Sequence, residues 1–146
     1  MRKIITSGCF NLIHPAHLWF LEQAAKLGDE LHVFVDVDER NKTLKGDKAI
    51  FSCAERCKII GALKVVTNTY GYSGPNESFE QIIRRLSCEL WRTPQHQIIF
   101  AKGGDYSFDD LDKSQIDIIR KYEGIVVLLD YDPQYSTTKI FDKIRE

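Results

Sequence analysis

His14 and His17 stand three residues apart in the run Gly8-Cys9-Phe10-Asn11-Leu12-Ile13-His14-Pro15-Ala16-His17. Imidazoles donate hydrogen bonds to anionic oxygens, so a pair of them at the start of a helix suits the handling of phosphate. The run Ile4-Ile5-Thr6-Ser7 before them reads as a short strand, and Leu18 to Leu27 reads as an amphipathic helix stopped by Gly28. A strand, a glycine turn and a helix N-terminus present unpaired backbone N–H groups and the positive end of a dipole to a ligand. Zinc fits less well. The usual zinc helix spaces its histidines at i, i+4 around a glutamate, whereas Pro15 and Ala16 lie between these two and neither can ligate. Pro15 suits a first helical turn, where its missing N–H costs nothing. A histidine pair at this spacing also serves as a cap or a half-buried polar pair, so the strand before it carries weight.

The elements needed to position such a turn are legible along the chain. Leu31-His32-Val33-Phe34-Val35 is a continuous apolar strand ending at Asp36, and the charged segment Asp38 to Lys48 reads as a loop. Ser52 caps a helix through Ala62, Lys64-Val65-Val66-Thr67 reads as a third strand, and Tyr70 to Asn76 reads as a loop. Glu77 to Leu90 forms a helix with Phe79, Ile82, Ile83 and Leu86 inward, followed by a strand at Gln97 to Ala101. Asp112 to Tyr122 is a helix, Ile125 to Leu129 a fifth strand, and Ser136 opens a last helix. Strands apolar on both faces and separated by helices form a parallel sheet covered on both sides. Right-handed crossovers make that an α/β fold: a Rossmann-like, doubly wound, five-stranded parallel sheet with helices on both faces. No repeat or linker interrupts residues 1–146, which read as a single domain.

Composition narrows the function. The chain has 146 residues, 43% of them hydrophobic, enough for one real core. Lys and Arg number 20 against 21 Asp and Glu, so no global field points to nucleic acid or an anionic membrane. No apolar run approaches the ~18 residues that span a bilayer, and Gly8 cuts off any secretory core behind Met1-Arg2-Lys3. Cys9, Cys53, Cys57 and Cys88 have no framework spacing, and Cys53 and Cys57 lack a second ligand pair. Reduced thiols in a cytoplasmic protein are the expectation.

Chain topology brings four constellations to the carboxyl edge of the sheet, where open α/β folds bind ligands. They are the histidine pair after the first strand, Lys45-Gly46-Asp47 after the second, Lys102-Gly103-Gly104-Asp105 after the fourth, and Tyr135-Ser136-Thr137-Thr138-Lys139 after the fifth. Each has an ordinary reading as surface lysine, tight turn or helix cap. Each is also a phosphate-binding element: a flexible cation, a close-approach backbone, or hydroxyls beside a helix dipole. The dinucleotide fingerprint is absent, since only Gly8 of a G-x-G-x-x-G pattern is present.

The segment Gly8 to His17 resembles the G-x-F-D-x-x-H-x-G-H signature of the cytidylyltransferase-like nucleotidyltransferases. Leu44-Lys45-Gly46-Asp47, Gly61-Ala62-Leu63, Lys102-Gly103-Gly104-Asp105-Tyr106 and Ser136-Thr137-Thr138 resemble the adenylyltransferase domain of bacterial heptose 1-phosphate enzymes. Order and spacing hold from residue 4 to the C-terminus. Glycerol-3-phosphate cytidylyltransferase is similar too, sharing the histidine pair and the Ser-Thr-Thr ending. Three departures stand out: Asn11 where the signature has Asp, Ala16 where it has Gly, and a longer region from Tyr70 to His96. That region is expected to shape the acceptor site or a subunit interface.

The resemblance implies transfer of a nucleoside monophosphate, AMP favoured, from a triphosphate to a sugar phosphate such as heptose 1-phosphate, with release of pyrophosphate. His14 and His17 would meet the α-phosphate, and Lys45 would neutralise the triphosphate or the attacking phosphate. Ser136, Thr137 and Thr138 would hold the β- and γ-phosphates. Gly8, Phe10 and Gly103 would let backbone approach the nucleotide beside Asn11, and Asp105 would take ribose hydroxyls. Arg56 and Lys102 are further candidates, Arg56 reading equally well as an exposed helix residue. Mg2+ would bridge triphosphate oxygens with few protein ligands. Expected partners are ATP (or CTP), a small phosphorylated acceptor and a second copy of the chain, with no nucleic acid or membrane. A cytidylyltransferase making a CDP-alcohol and a non-catalytic nucleotide-binding module remain as alternatives.

Overall fold

Five parallel strands carry the fold: β1 (Arg2–Gly8), β2 (Glu30–Asp36), β3 (Asn68–Tyr72), β4 (Gln97–Lys102) and β5 (Ile125–Leu128), in the order β3-β2-β1-β4-β5. The helices between them are α1 (Pro15–Ala25), α2 (Asp38–Lys45), α3 (Cys53–Gly61), α4 (Glu77–Cys88), α5 (Lys113–Lys121) and α6 (Thr137–Arg145). The computed structural model describes the chain apart from residues 46–48, 89–96, 104–106 and 131–133, and apart from the side chains of residues 41, 43–45 and 108.

Alternation along the strands builds two cores. Ile4, Val33, Val35, Ile99 and Ala101 meet Leu21 and Ala24 of α1 and Ile60 of α3. Ile5, Phe34, Ile98 and Phe100 meet Phe79, Ile83 and Leu86 of α4 and Ile119 of α5 on the other face. Helices thus cover both faces, which is why the inner strands show no polar side. Gly28 is fixed by a close approach: a Cβ there would fall 2.7 Å from the Arg2 carbonyl oxygen. That turn crosses β1 tightly, and Asp29 donates its N–H to the same oxygen at 2.9 Å.

Three sequence expectations need correction. The helix after the histidine turn starts at Pro15 rather than Leu18, so His14 is its N-cap and His17 lies within its first turn. The charged segment expected as a loop is helical over Asp38–Lys45. It lacks an apolar stripe, but Asp38 and Glu39 oppose the dipole in its first turn and Arg40 reaches back to Asp36 at 3.3 Å. The third strand is Asn68–Tyr72, not Lys64–Thr67, and it takes residues expected in the Tyr70 to Asn76 loop. Val65 and Val66 pack instead against the α1/α3 core beyond the end of α3. Tyr70 and Tyr72 sit beside Phe34, with ring centroids 4.9 and 6.0 Å from it, so aromatic packing holds a strand whose Asn and Gly read as a turn. Trp91 lies outside the described residues, as does the C-terminal end of the helix expected through Leu90.

Candidate active site

β1 and β4 part at the carboxyl edge. Pairing of β1 with β2 runs to Gly8 and Val35, whereas its pairing with β4 ends at Ile5 and Phe100. β4 continues beside β5 to Lys102 and Leu128. A crevice where the strand order reverses is where open parallel sheets take ligands. A cleft of about 670 Å³ opens there. It gathers Gly8, Phe10, Asn11, His14, His17, Lys102, Gly103, Ser136, Thr137 and Thr138 from the sequence-predicted set. Lys45 ends α2, with its side chain outside the described atoms. Asp105 lies outside the described residues.

The histidines are held in a defined protonation geometry. The His14 backbone N–H donates to His17 Nδ1 at 3.3 Å. An Nδ1 that accepts leaves the proton of the neutral ring on Nε2, so His17 is a donor at its far nitrogen. The two rings stack with centroids 3.7 Å apart, and Tyr135 lies parallel to His14 at 6.4 Å. His14 is 8% exposed, and burial lowers its pKa from 6.5, so it is neutral at pH 7. His14 Nδ1 and Thr6 Oγ1, both on residues that line the cleft, are buried polar atoms with no hydrogen-bond partner among the described residues.

Neighbouring residues explain the shape. Phe10 holds a φ of 50°, a left-handed conformation that an aromatic residue adopts only under constraint. A Cβ on Gly103 would lie 2.5 Å from the Phe20 ring, so glycine there lets α1 pack against the end of β4. Asn11 Oδ1 accepts the Ile50 N–H at 3.0 Å, tying the turn to the chain after α2. Ser136 Oγ accepts the Lys139 N–H at 3.1 Å and caps α6. Ser136 therefore serves the helix while Thr137 and Thr138 share its N-terminal turn.

Arg56 is neither exposed nor among the residues lining the cleft. It is fully buried and donates to Cys9 O at 2.6 Å, Phe51 O at 3.0 Å and Asp38 Oδ1 at 2.8 Å. The reading of it as a surface residue is overturned by those three acceptors. Sequence reasoning also missed Gln115, which donates from Nε2 to Ser7 Oγ at 3.1 Å and to the Tyr72 hydroxyl at 3.0 Å. Thr6, Trp19, Asp110 and Asp130 join the cleft lining as well. No spacing signal marked these residues, because each comes from a different element and only the fold brings them together. The cysteines are free.

Comparison with known proteins agrees with this geometry. The sequence profile described as cytidylyltransferase-like matches residues 5–143. The bifunctional protein HldE of Hydrogenovibrio crunogenus is 36% identical over 99% of the chain, and that of Alcanivorax borkumensis 31%. The chain spans only 28% of the length of either relative. A lipopolysaccharide core biosynthesis protein from Thermoplasma volcanium superposes with a TM-score of 0.63 at 24% identity, covering 92% of this chain and 98% of that one. Thermotoga maritima TmcAL, solved with α-thio ATP, superposes at 0.61 with 15% identity over 99% of this chain and 50% of its own. Both likenesses are of fold.

The buried neutral imidazole has a stability signature. Below pH 6.5 the unfolded chain takes up a proton that folded His14 resists. The stability contributed by keeping His14 neutral is therefore complete above the unfolded value and is lost as pH falls through the lowered folded value. Urea unfolding at about pH 7.5 and about pH 5 is expected to show a decline that His14→Gln reduces. Equal declines in the two proteins would overturn the assignment.

Proposed function

The chain belongs to the cytidylyltransferase-like family, and on that premise we propose that it transfers AMP from ATP to a sugar phosphate of the heptose 1-phosphate class. An oxygen of the acceptor phosphate attacks the α-phosphorus. The bond from that phosphorus to the bridging oxygen breaks, and pyrophosphate leaves with the electron pair. The attacking oxygen is already anionic at pH 7, so the reaction needs in-line positioning and charge stabilisation rather than a strong base. The observation that carries this reading is the His14 N–H to His17 Nδ1 bond, because it leaves Nε2 as the donor of a histidine that lines the cleft in the first turn of α1. Thr137 and Thr138, in the first turn of α6, are the groups we assign to the β- and γ-phosphates. Lys45 and Lys102 supply cations, and Asp105 takes the ribose in this reading. Lys102-Gly103-Gly104-Asp105-Tyr106 favours ATP over CTP, since that run resembles the heptose adenylyltransferases.

Magnesium fits the donor set. Asp110 and Asp130 give the cleft hard carboxylate oxygens, and no cluster of three or more His, Cys, Asp or Glu among the described residues forms a cage. An ion carried by the triphosphate and water would supply charge neutralisation there. We also propose a single nucleotidyltransferase domain and a homodimer. No residue of α6 is buried, and Ile144 at 72% exposure sits on one helix with Ile140 and Phe141. Sedimentation is expected to give a dimer, and a monomer at every concentration would refute it. No helix among the described residues is long and apolar enough to cross a membrane, and the free thiols suit a reducing cytoplasm.

A pyrophosphate-release panel of four nucleoside triphosphates against heptose 1-phosphate, glycerol 3-phosphate and other phosphate monoesters tests the function. Magnesium-dependent turnover with ATP and a sugar phosphate is expected. A strong preference for CTP with glycerol 3-phosphate would reassign the chain to CDP-alcohol synthesis, and no turnover with any pair would leave a binding module.

The two phosphate-binding groups should separate kinetically. His17→Ala is expected to lower kcat about a hundred- to a thousandfold, roughly 3–4 kcal/mol, with little change in ATP affinity. Thr138→Ala should raise the KM for ATP at least as much as it lowers kcat, because a β,γ-phosphate contact exists in the ground state too. A folded His17→Ala protein that turns over normally would make the histidine structural.

A further inference from the structure

Ser7, next to the end of β1, and Lys102, the last residue of β4, lie at the ends of the two strands that part, and both belong to the α5 side of the sheet. Lys102 Nζ donates to Ser7 O at 2.7 Å and lies 3.3 Å from Ser7 Oγ. The ammonium thus takes over a carbonyl beyond the last β1–β4 pair. Gln115, 5% exposed at the start of α5, donates to that same Ser7 hydroxyl and to Tyr72, which is 2% exposed. The Arg40 guanidinium covers the Tyr72 ring at 4.8 Å and its Nε donates to Asp36. One carboxamide therefore joins β1, β3 and α5, and through Ser7 it reaches Lys102. Buried polar links of this kind cost desolvation that an apolar core would avoid. This one lies directly behind two residues of the cleft wall.

Its position has a chemical meaning that rests on the proposed function. His14 and His17 belong to α1, which packs on the opposite face of the sheet from α4 and α5. Tyr135, adjacent to Ser136, stacks on His14, so the α6 N-terminus belongs with the histidines. In-line displacement puts the attacking and leaving oxygens on opposite sides of the phosphorus. With pyrophosphate leaving toward the α6 turn, a nucleophile that enters from the α5 side of the sheet would meet Lys102. We propose that the Lys102 ammonium receives the acceptor's phosphate at the β1–β4 crevice and that Gln115 is the positioning residue that fixes this ammonium through Ser7.

Steady-state kinetics of the full chain with ATP and heptose 1-phosphate test the proposal. Gln115→Met keeps the side-chain volume and removes both donors. It is expected to lower kcat/KM for the acceptor about ten- to hundredfold while KM for ATP stays within about twofold. Lys102→Met should show the same split, and adding Gln115→Met to it should cost less than about twofold more, since the two act as one unit. Equal losses for both substrates, full additivity, or a Gln115→Met protein with unchanged kcat/KM for the acceptor would overturn the proposal alone. Should Gln115→Met not fold, Ser7→Ala removes the same bridging hydroxyl and carries the same expected outcomes. Absence of pyrophosphate release from the wild-type chain would instead overturn the proposed function, and this assignment with it.

Discussion

The parting of β1 from β4 is the constraint on which the rest of the molecule depends. A parallel ladder that continued past Ile5 and Phe100 would close the crevice at the carboxyl edge of the sheet. The buried guanidinium of Arg56 helps hold the chain leaving β1 in its turn. It fastens Cys9 O to α3 and to Asp38 at the start of α2, so the turn is tied on the β2 side while β4 goes its own way. Burying a guanidinium is costly unless its donors are met. Here two carbonyls and a carboxylate meet them, and the strained φ of Phe10 lies one residue beyond the fastened carbonyl.

From that opening the chemistry divides between the two faces of the sheet. The α1 side supplies two imidazoles, one of which, His17, has its proton placed by backbone geometry, because a main-chain N–H occupies its Nδ1. Stacked rings 3.7 Å apart resist double protonation, and burial already disfavours charge on His14. His14 is therefore neutral at pH 7, and His17 keeps its proton on Nε2. On the α5 side the Lys102 ammonium contacts the main-chain and hydroxyl oxygens of Ser7.

How much of this was legible follows from the reach of each signal. The first strand, the histidine turn and the parallel architecture are written in contiguous residues, so periodicity and composition reveal them. α2 was hidden because a helix stabilised by charge has no apolar stripe to betray it. β3 was hidden because an edge strand held by tyrosines on Phe34 can carry Asn and Gly where a central strand could not. Arg56 looked like any charged residue on a helix, since its acceptors Cys9 and Asp38 lie 47 and 18 residues away in sequence. Gln115 is the extreme case, with its partners 108 and 43 residues distant.

The two departures from the family signature acquire a physical account from the same contacts. Asn11 keeps an oxygen acceptor, and that oxygen receives the Ile50 N–H, so the anchoring of the chain after α2 needs no carboxylate. What the amide removes is a negative charge from a cleft proposed to hold a triphosphate. Ala16 lies at the second position of α1 and is 7% exposed in the cleft wall. Alanine is favoured over glycine within a helix by about 1 kcal/mol, which stiffens the turn that carries both histidines. Its methyl group also lines the cleft. Neither change touches the His14–His17 bond or the link from Gln115 to Lys102. Both substitutions therefore change the lining of the cleft and spare the contacts that link its side chains.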